Sequence, residues 1–202
     1  MINYTLIEND EKLKEFRITL HDKKIDKIAM DFEGIFERKC CKDKLCLIQI
    51  YDCEKYYIID PLKISKEELI IFFKNRKIIK YMYSAGSDVK LIYDYYKIKL
   101  QSVFDIKHLV EVLRIRPQGL YDIVKSKLNI IIKFDKKKFQ RYDWSIRPLR
   151  QKAIDYALND VKYLFKLNDI LKNEVIENGL IDDFIIKLIK VDYDFSVRKK
   201  IK

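Results

Sequence analysis

Glycine and proline are scarce in this chain, with four glycines and three prolines among 202 residues. The scarcity excludes long linkers and low-complexity segments rich in these residues, and the sequence contains no internal repeat. No apolar run reaches the about 18 residues that a membrane-spanning helix needs. The charged start MINYTLIENDEKLKEF also lacks the apolar stretch of a signal peptide. These absences favour a cytoplasmic protein with no membrane partner.

Sulfur and imidazole ligands for a metal are also few. No two cysteines have the Cys-x-x-Cys spacing that is common in zinc sites, and His21 and His108 are far from the cysteines in sequence. Cys46 and Cys53 fall within apolar, strand-like segments. The pattern favours reduced cysteines over a metal-thiolate site, which stays open as the alternative. The four cysteines are Cys40, Cys41, Cys46 and Cys53.

Basic side chains exceed acidic ones, with 42 lysines and arginines against 31 aspartates and glutamates and a formal net charge of +11. Such an excess favours a polyanionic partner, because lysines and arginines near phosphates release counterions on binding. A second explanation stays open. Lysine outnumbers arginine 33 to 9, a bias that an A/T-rich genome produces whatever the function.

The hydrophobic pattern predicts strands that give way to helices along the chain. With 49% hydrophobic side chains, the chain is long enough to bury a core. The sequence therefore predicts an α/β fold, with one compact domain over residues 1–202 and a mixed sheet flanked by helices. Its core spans about residues 24–175, and a C-terminal helix with a basic tail covers 176–202. The predicted strands are 24–34, 45–52, 55–60, 77–83 and 101–105, and the helices are 65–75, 87–96, 106–114, 120–128, 149–175 and 181–190.

Two acids interrupt the apolar end of the first predicted strand, IAMDFEG. Asp31 and Glu33 are two residues apart and therefore point to the same face of a strand. Neighbouring carboxylates repel each other unless a cation compensates them, so a divalent metal would explain the pair. The alternative is an exposed strand end at which both acids meet water.

Three further residues become informative through their order along the chain. Asp88 begins a predicted helix, where it or Ser87 could simply cap the helix. Tyr156 and Asp160 lie one turn apart on a late helix and could be a plain surface pair. Asp155 points about 100° away from Tyr156 and is interpreted as a solvated residue.

Together these segments resemble the ribonuclease D branch of the DnaQ-like (DEDD) 3′-5′ exonucleases, in the subgroup with a tyrosine in the third motif. IAMDFEG followed by KLCLIQIYDCEKYYIIDPL is similar to the first motif, SAGSDVKLI with VFDIKHL to the second, and QRYDWSIRPLRQKAIDYALNDVKYLFKLNDIL to the third. The resemblance runs from about Lys24 to Leu171 and implies a ribonuclease H-like fold with five or six strands.

The resemblance also implies roles for individual residues. Asp31, Glu33, Asp88 and Asp160 would hold two divalent cations, Mg²⁺ or Mn²⁺, and Tyr156 would orient the attacking water. Such ions together can activate the water and relieve charge on the phosphate and the leaving oxygen. The residues expected near substrate are Phe32, Lys138, Arg141, Trp144 and Arg147, although Trp144 is more typical of a core residue and the basic residues of a charged surface.

Two departures from the family pattern concern the substrate. Tyr83 and Ser84 stand where many members have a histidine, and the helical accessory module of longer members is not expected in this chain. The resemblance implies single-stranded or short RNA as substrate, and similar short members suggest a homo-oligomer. The alternatives are a 3′-5′ exonuclease acting on DNA and a catalytically silent nucleic-acid-binding protein of the same fold. Asp105 is a further candidate for a supporting acid.

Overall fold

The computed structural model describes residues 2–35 and 44–190, in which six strands form one mixed sheet. Along the sheet the strand order is β1-β4-β3-β2-β5-β6. The strands are β1 Tyr4–Ile7, β2 Lys27–Ile35, β3 Lys44–Tyr51, β4 Tyr56–Ile59, β5 Ile79–Met82 and β6 Val103–Asp105. The predicted α/β class and mixed sheet are confirmed. Cys40, Cys41 and the predicted basic tail from residue 191 onward lie outside the described residues.

The helices lie on both faces of this sheet. They are α1 Asp10–Asp22, α2 Lys66–Phe73, α3 Gly86–Tyr96, α4 Lys107–Val112, α5 Leu120–Leu128, α6 Lys136–Phe139, α7 Gln151–Lys162, α8 Leu164–Glu177 and α9 Ile181–Lys190. None of the helices in the described ranges is long and apolar enough to cross a membrane.

The centre of the sheet is an antiparallel meander with parallel strands at its edges. β2 pairs with β3 and β3 with β4 in antiparallel fashion, as the three successive predicted strands indicate. β5 joins β2, β6 joins β5 and β1 joins β4, all in parallel. β2, the strand that carries Asp31 and Glu33, therefore has a hydrogen-bonded neighbour on each side and is held in place within the sheet.

Side-chain alternation along β2 divides the core between the two faces of the sheet. Met30 and Phe32 enter the cluster that includes Phe16 of α1 and Phe73 of α2, whereas Ala29 enters the cluster that includes Leu164 of α8. Asp31 and Glu33 share the face of Ala29, since strand residues alternate with period two. The acids consequently face the helices from the second half of the chain.

The predicted elements differ from the structure at the N-terminus, at α6 and in the long helix near the C-terminus. The core begins before residue 24, because β1 pairs with β4 and α1 buries Leu13 and Leu20. α6 was not predicted. The helix predicted over 149–175 is two helices, α7 and α8, which meet at Tyr163.

Candidate active site

Asp31, Glu33 and Asp160 form a compact cluster of carboxylates. Asp31 and Glu33 come from β2 and Asp160 from α7, which packs across β2 and β3. One oxygen from each carboxylate lies within 4.8 Å of one from each of the others. All three residues are partly buried. The structure thus brings together acids that are more than 120 residues apart in sequence.

A β-bulge immediately after Glu33 shapes this end of the strand. The β2–β3 register shifts between Glu33 and Gly34, as is common beside active sites, where bulges redirect side chains. A Cβ added at Gly34 would lie 2.7 Å from the backbone carbonyl oxygen of Lys44. Only glycine lets β3 approach β2 so closely at this point, so Gly34 helps to set the direction of Glu33.

Asp88 lies on the wall of the same cavity, in the first turn of α3. Neither Ser87 nor Asp88 caps this helix, because its N-cap is Ala85 and no side chain makes a capping hydrogen bond. The simpler interpretation of Asp88 as a helix cap is therefore wrong. Its carboxyl group is buried and available to the cavity instead.

Asp105, at the end of β6, holds the turn before α3. Its carboxylate accepts hydrogen bonds from the backbone N–H groups of Ser84 (2.8 Å), Ala85 (2.8 Å) and Lys107 (3.0 Å). Ser84 adopts the left-handed region with φ of 62°, so the turn is a constrained one. Asp105 thereby fixes the start of the helix that carries Asp88, which is the supporting role expected for it.

Tyr156 is held by aromatic side chains on several sides. Its ring stacks on Phe139 at 4.5 Å between centroids and meets Phe134 edge-on at 5.8 Å, with Trp144 at 6.3 Å and Tyr121 at 6.4 Å. Tyr156 and Asp160 both line the cavity, as their spacing on one helix face predicts. The phenol is therefore fixed in direction beside the carboxylates.

Asp155 is separate from this cluster. Its side chain accepts hydrogen bonds from the backbone N–H of Ile2 (3.4 Å) and from the Gln151 amide (3.2 Å). It is partly buried against the N-terminal segment rather than fully solvated.

Burial and mutual repulsion disfavour the charged forms of the four carboxyl groups. Burial, and then the charges of Asp88, Asp160 and Glu33, hold the pKa of Asp31 well above its usual range. Burial, followed by Asp160 and Asp88, does the same to the pKa of Glu33. Burial is also the main cause that raises the pKa of Asp88 to about 8, with the charge of Asp105 as the next cause.

Asp160 differs from the other three carboxyl groups, because a hydrogen-bond donor and a positive charge lie close to it. Burial raises its pKa to about 7, while hydrogen bonding from Tyr121 and the charge of Lys136 oppose the rise. Among the described residues, no lysine or arginine forms a salt bridge with Asp31, Glu33, Asp88 or Asp160. Within the described ranges, Lys136 acts on Asp160 from a distance, and no cation of the chain is paired directly with the four carboxylates.

These residues fit a divalent metal. Carboxylate oxygens are the ligands preferred by hard cations such as Mg²⁺ and Mn²⁺. A bound cation would stabilise the charged forms of all four carboxylates, which burial disfavours, and would relieve the repulsion that adds to this effect at Asp31, Glu33 and Asp88. In the part of the chain that the structure describes, no other group of histidines, cysteines, aspartates and glutamates has this geometry. Cys46 is buried and Cys53 exposed, and both are free thiols.

The cavity at the cluster has a volume of about 420 Å³ and carries two lysines on its walls. Sequence reasoning missed both Lys107 and Lys136. The available signal for Lys136 was its place in the KKK run, four residues before Gln140, which also lines the cavity. Lys138 and Arg141, which were predicted instead, do not line it.

Phe32 and Trp144, two residues expected near the substrate, have different surroundings. Phe32 contributes to the cavity wall, although its ring is buried edge-on against Phe73 at 5.8 Å. Trp144 is 2% exposed and belongs to the core beneath Tyr156, which corrects its assignment as a substrate contact.

Arg147 is part of a structural clamp rather than a free cation. Its guanidinium donates to both carboxylate oxygens of Asp60 (2.7 and 2.8 Å) and to the backbone carbonyls of Cys46, Trp144 and Ile146. These bonds occupy the groups that a phosphate would need. The expected substrate contact at Arg147 is corrected accordingly.

Tyr83 and Tyr121 are two further residues of the site that the sequence did not single out for it. The Tyr83 hydroxyl, where a histidine is common, donates to the backbone carbonyl of Gln118 (2.7 Å). This bond joins the end of β5 to the loop before α5. Tyr121 lies on α5, beside Asp160 and Tyr156. The sequence marked Tyr83 only as a departure from the family pattern, and Tyr121 has no local sequence pattern that marks it.

Comparisons with known proteins agree with this geometry. A family model described as 3′-5′ exonuclease matches residues 4–176. Ribonuclease D of Serratia proteamaculans is 30% identical over 181 residues, which cover 88% of this chain and 47% of that protein. The chain spans about half or less of the length of the first curated relatives that it matches, with shares of 20%, 47% and 22%.

Solved structures share the fold. The crystal structure of Escherichia coli RNase D, an exoribonuclease involved in structured RNA processing, superposes with a TM-score of 0.78 and 25% identity, covering 93% of this chain and 49% of that one. Brucella melitensis NrnC with bound Mg²⁺ has the same fold, with a TM-score of 0.69 and 22% identity, covering 91% of this chain and 87% of that one.

Proposed function

This chain belongs to the 3′-5′ exonuclease family, and on that premise we propose that it is a metal-dependent exoribonuclease. It removes 5′-mononucleotides one at a time from the 3′ end of single-stranded or short RNA. The observation that carries the proposal is the convergence of Asp31, Glu33 and Asp160 within 4.8 Å, beside the fixed phenol of Tyr156. RNA is proposed over DNA because curated relatives of this chain are ribonucleases D.

Two divalent cations, Mg²⁺ or Mn²⁺, are part of the proposal. Asp31, Glu33 and Asp160 offer a compact set of ligands for one ion, and Asp88, which lines the same cavity, would support a second together with Asp31. When bound, such ions lower the pKa of the attacking water and neutralise charge on the phosphate. The carboxylates of the chain supply the negative charge that retains them.

Tyr156 orients the attacking water. A phenol can donate and accept hydrogen bonds, and its pKa, which burial and the nearby carboxylates raise, keeps it protonated at neutral pH. Its ring cannot swing away, because Phe139 and Phe134 pack against it. The hydroxyl thus holds one orientation relative to the carboxylates, which is the property that positioning a nucleophile requires.

Lys107 and Lys136 bind the phosphates of the RNA strand. Both line the cavity of the carboxylates, and Lys136 is close enough for its charge to lower the pKa of Asp160. The Lys107 ammonium donates a long hydrogen bond to the Ser84 hydroxyl (3.3 Å), which a phosphate oxygen can replace. Lys138 and Arg141, outside the cavity, stay candidates for contacts with more distant phosphates.

The test is digestion of RNA labelled at its 5′ end by the purified protein with Mg²⁺ or Mn²⁺. We expect a ladder that shortens by one nucleotide at a time, 5′-mononucleotides as products, and no activity after chelation. Internal cleavage, or activity that chelator leaves unchanged, would overturn the proposal. Binding of RNA without cleavage would instead indicate the silent binding protein, and faster digestion of DNA would indicate a DNA exonuclease.

Substitutions separate the proposed roles. Asp31→Ala abolishes turnover, because the ligand shared by both ions is lost. Tyr156→Phe lowers kcat by about 10²-fold if its hydroxyl orients the water. Lys107→Ala and Lys136→Ala raise KM and weaken its dependence on salt, since each removes one phosphate contact. Lys172→Ala, which changes an exposed lysine on α8, is the matched control and leaves both constants unchanged.

Substrate length is tested by comparing RNAs of two, seven and about twenty-five nucleotides at two salt concentrations. Because each additional phosphate contact increases the salt dependence, a preference for long RNA should collapse as salt rises. Equal or faster cleavage of the dinucleotide, with weak salt dependence, supports short RNA as the substrate. Light scattering on the same samples measures whether the protein forms the proposed homo-oligomer.

A further inference from the structure

Tyr121 contacts the cavity residue Tyr156, although it belongs to a segment outside the three motifs. It is the second residue of α5, and the two preceding residues, Gly119 and Leu120, line the cavity together with Tyr156 and Asp160. Its ring meets that of Tyr156 at an angle of 63°, with 6.4 Å between centroids. α5 thus brings a second phenol next to the one that the family motif supplies.

The hydroxyl of Tyr121 is buried and lacks a well-formed hydrogen bond to any described residue. A buried hydroxyl without a partner is costly, so native structures rarely retain one without a role. The ionisable groups that act on the pKa of Tyr121 are Asp160, Tyr156 and Asp31. Loose hydrogen bonding to it lowers the pKa of Asp160 and Tyr156, while burial and Asp160 raise the pKa of Tyr121 itself.

We propose that Tyr121 is a positioning residue of the active site, whose hydroxyl donates a hydrogen bond to Asp160 and fixes the orientation of that carboxylate beside Tyr156. The inference rests on the proposed nuclease function. A phenol can donate to a carboxylate oxygen while the other oxygen stays free to bind a cation. Residues that orient ligands in this way contribute about 10- to 100-fold to metal affinity or activity.

The competing explanation is that Tyr121 is present only for packing. Tyr142 provides the matched control, because it too has a buried hydroxyl without a hydrogen bond in the described chain. Its ring packs edge-on against Trp144 at 5.0 Å in the same aromatic cluster. Neither tyrosine is itself part of the cavity wall, but the ring of Tyr121 contacts that of Tyr156, and Tyr121, unlike Tyr142, is among the causes that act on the pKa of Asp160. The two tyrosines differ in their proximity to Asp160.

The experiment compares Tyr121→Phe with Tyr142→Phe in the full chain. Both variants retain the ring and remove a buried hydroxyl, so both should keep the wild-type melting temperature or exceed it in metal-free buffer. Only Tyr121→Phe should bind Mn²⁺ about tenfold more weakly by calorimetry and show about tenfold lower kcat at saturating Mn²⁺, with KM for RNA unchanged. Tyr142→Phe should match wild type in Mn²⁺ affinity, kcat and KM.

Two results would overturn the inference. One is a Tyr121→Phe variant with the Mn²⁺ affinity and kcat of wild type, and the other is a Tyr142→Phe variant with the same losses as Tyr121→Phe. If the nuclease proposal itself were wrong, the wild-type protein would bind Mn²⁺ but cleave no RNA, a result that differs from both of these. In that case the calorimetric comparison still decides whether Tyr121 orients Asp160.

Discussion

The rings of Tyr156 and Phe139 are stacked, with their centroids 4.5 Å apart and their planes inclined by 16°. Tyr156 belongs to α7, whereas Phe139 ends α6, a single helical turn that begins with Lys136. The same short helix therefore immobilises the phenol and brings a cation to the cavity. Stacking of this kind stabilises beyond the burial of area, by about 0.5–1.5 kcal/mol.

Phe139→Ala should impair both stability and catalysis. Loss of a buried phenyl ring lowers the free energy of unfolding by about 3–5 kcal/mol, and Tyr156 loses the surface that orients it. We expect a lower kcat with a smaller change in KM, measured on protein shown to be folded by circular dichroism. Phe139→Leu, which keeps most of the volume, is the control for folding. Wild-type kcat in both variants would show that the stacking does not orient Tyr156.

Mn²⁺ should stabilise the wild-type protein against unfolding. An ion that binds only the folded state raises the free energy of unfolding by about 2.7 kcal/mol when its free concentration is a hundred times its dissociation constant. Asp160→Asn should remove most of this gain. In metal-free buffer the same variant should be more stable than wild type, because one charge leaves a group of mutually repelling carboxylates. Thermal melts with and without Mn²⁺ measure both effects.

Asp155→Asn is the matched control for that experiment. It changes the same residue type on the same helix, outside the cluster. Its response to Mn²⁺ should equal that of wild type. A melting temperature that Mn²⁺ leaves unchanged in all three proteins would contradict a shared metal site.

Arg147→Met should lower stability while leaving RNA binding intact. Asp60 is 3% exposed, so removal of its bidentate partner leaves a buried, unpaired charge at a cost of about 3–5 kcal/mol. KM for RNA should not change, because the guanidinium is engaged within the protein. Urea unfolding and steady-state kinetics measure the two quantities. The double variant Arg147→Met, Asp60→Leu should lose less than the sum of the two single changes.

Lys80 should make stability depend on pH in the alkaline range. It is 1% exposed on β5, its ammonium donates to the carbonyls of Asn75 (2.6 Å) and Ile78 (3.0 Å), and burial lowers its pKa to about 8. In the unfolded chain a lysine retains its proton up to about pH 10.4. Between these values the unfolded chain binds more protons, so stability rises with pH.

The contribution of Lys80 is measured as the difference between wild type and Lys80→Met. Urea unfolding of both proteins at about pH 7.5 and pH 9.5 cancels the titration of other groups. From the lower to the higher pH, the free energy of unfolding of wild type should rise by on the order of 1–2 kcal/mol relative to that of the variant. If the difference in the free energy of unfolding between the two proteins does not change with pH, the carbonyls of Asn75 and Ile78 compensate the burial of the Lys80 ammonium fully.

The sequence by itself determined the features that depend on short periodicities. The alternation of period two in IAMDFEG put Asp31 and Glu33 on one face of β2, and the spacing of four residues put Tyr156 and Asp160 on one face of α7. The meander of β2, β3 and β4 was predictable because the three strands follow one another along the chain and each is rich in strand-forming residues. Those local patterns also carried the resemblance to the family.

Tertiary structure alone decided which distant residues meet these acids. Lys107 of α4 and Lys136 of α6 line the cavity, and Tyr121 of α5 contacts Tyr156 there. Nothing in the neighbouring sequence distinguishes Lys107 and Tyr121 from other lysines and tyrosines of this chain, and the KKK run does not tell which of its lysines reaches the site. From the sequence, Arg147 could contact a phosphate or belong to a charged surface, and the structure instead pairs it with Asp60 inside the protein. β1 was missed because four residues at a sheet edge carry little periodic signal, and β4 provides its hydrogen-bonding partner. Periodicity is a property of neighbours along the chain, whereas the site depends on contacts between segments that only packing brings together.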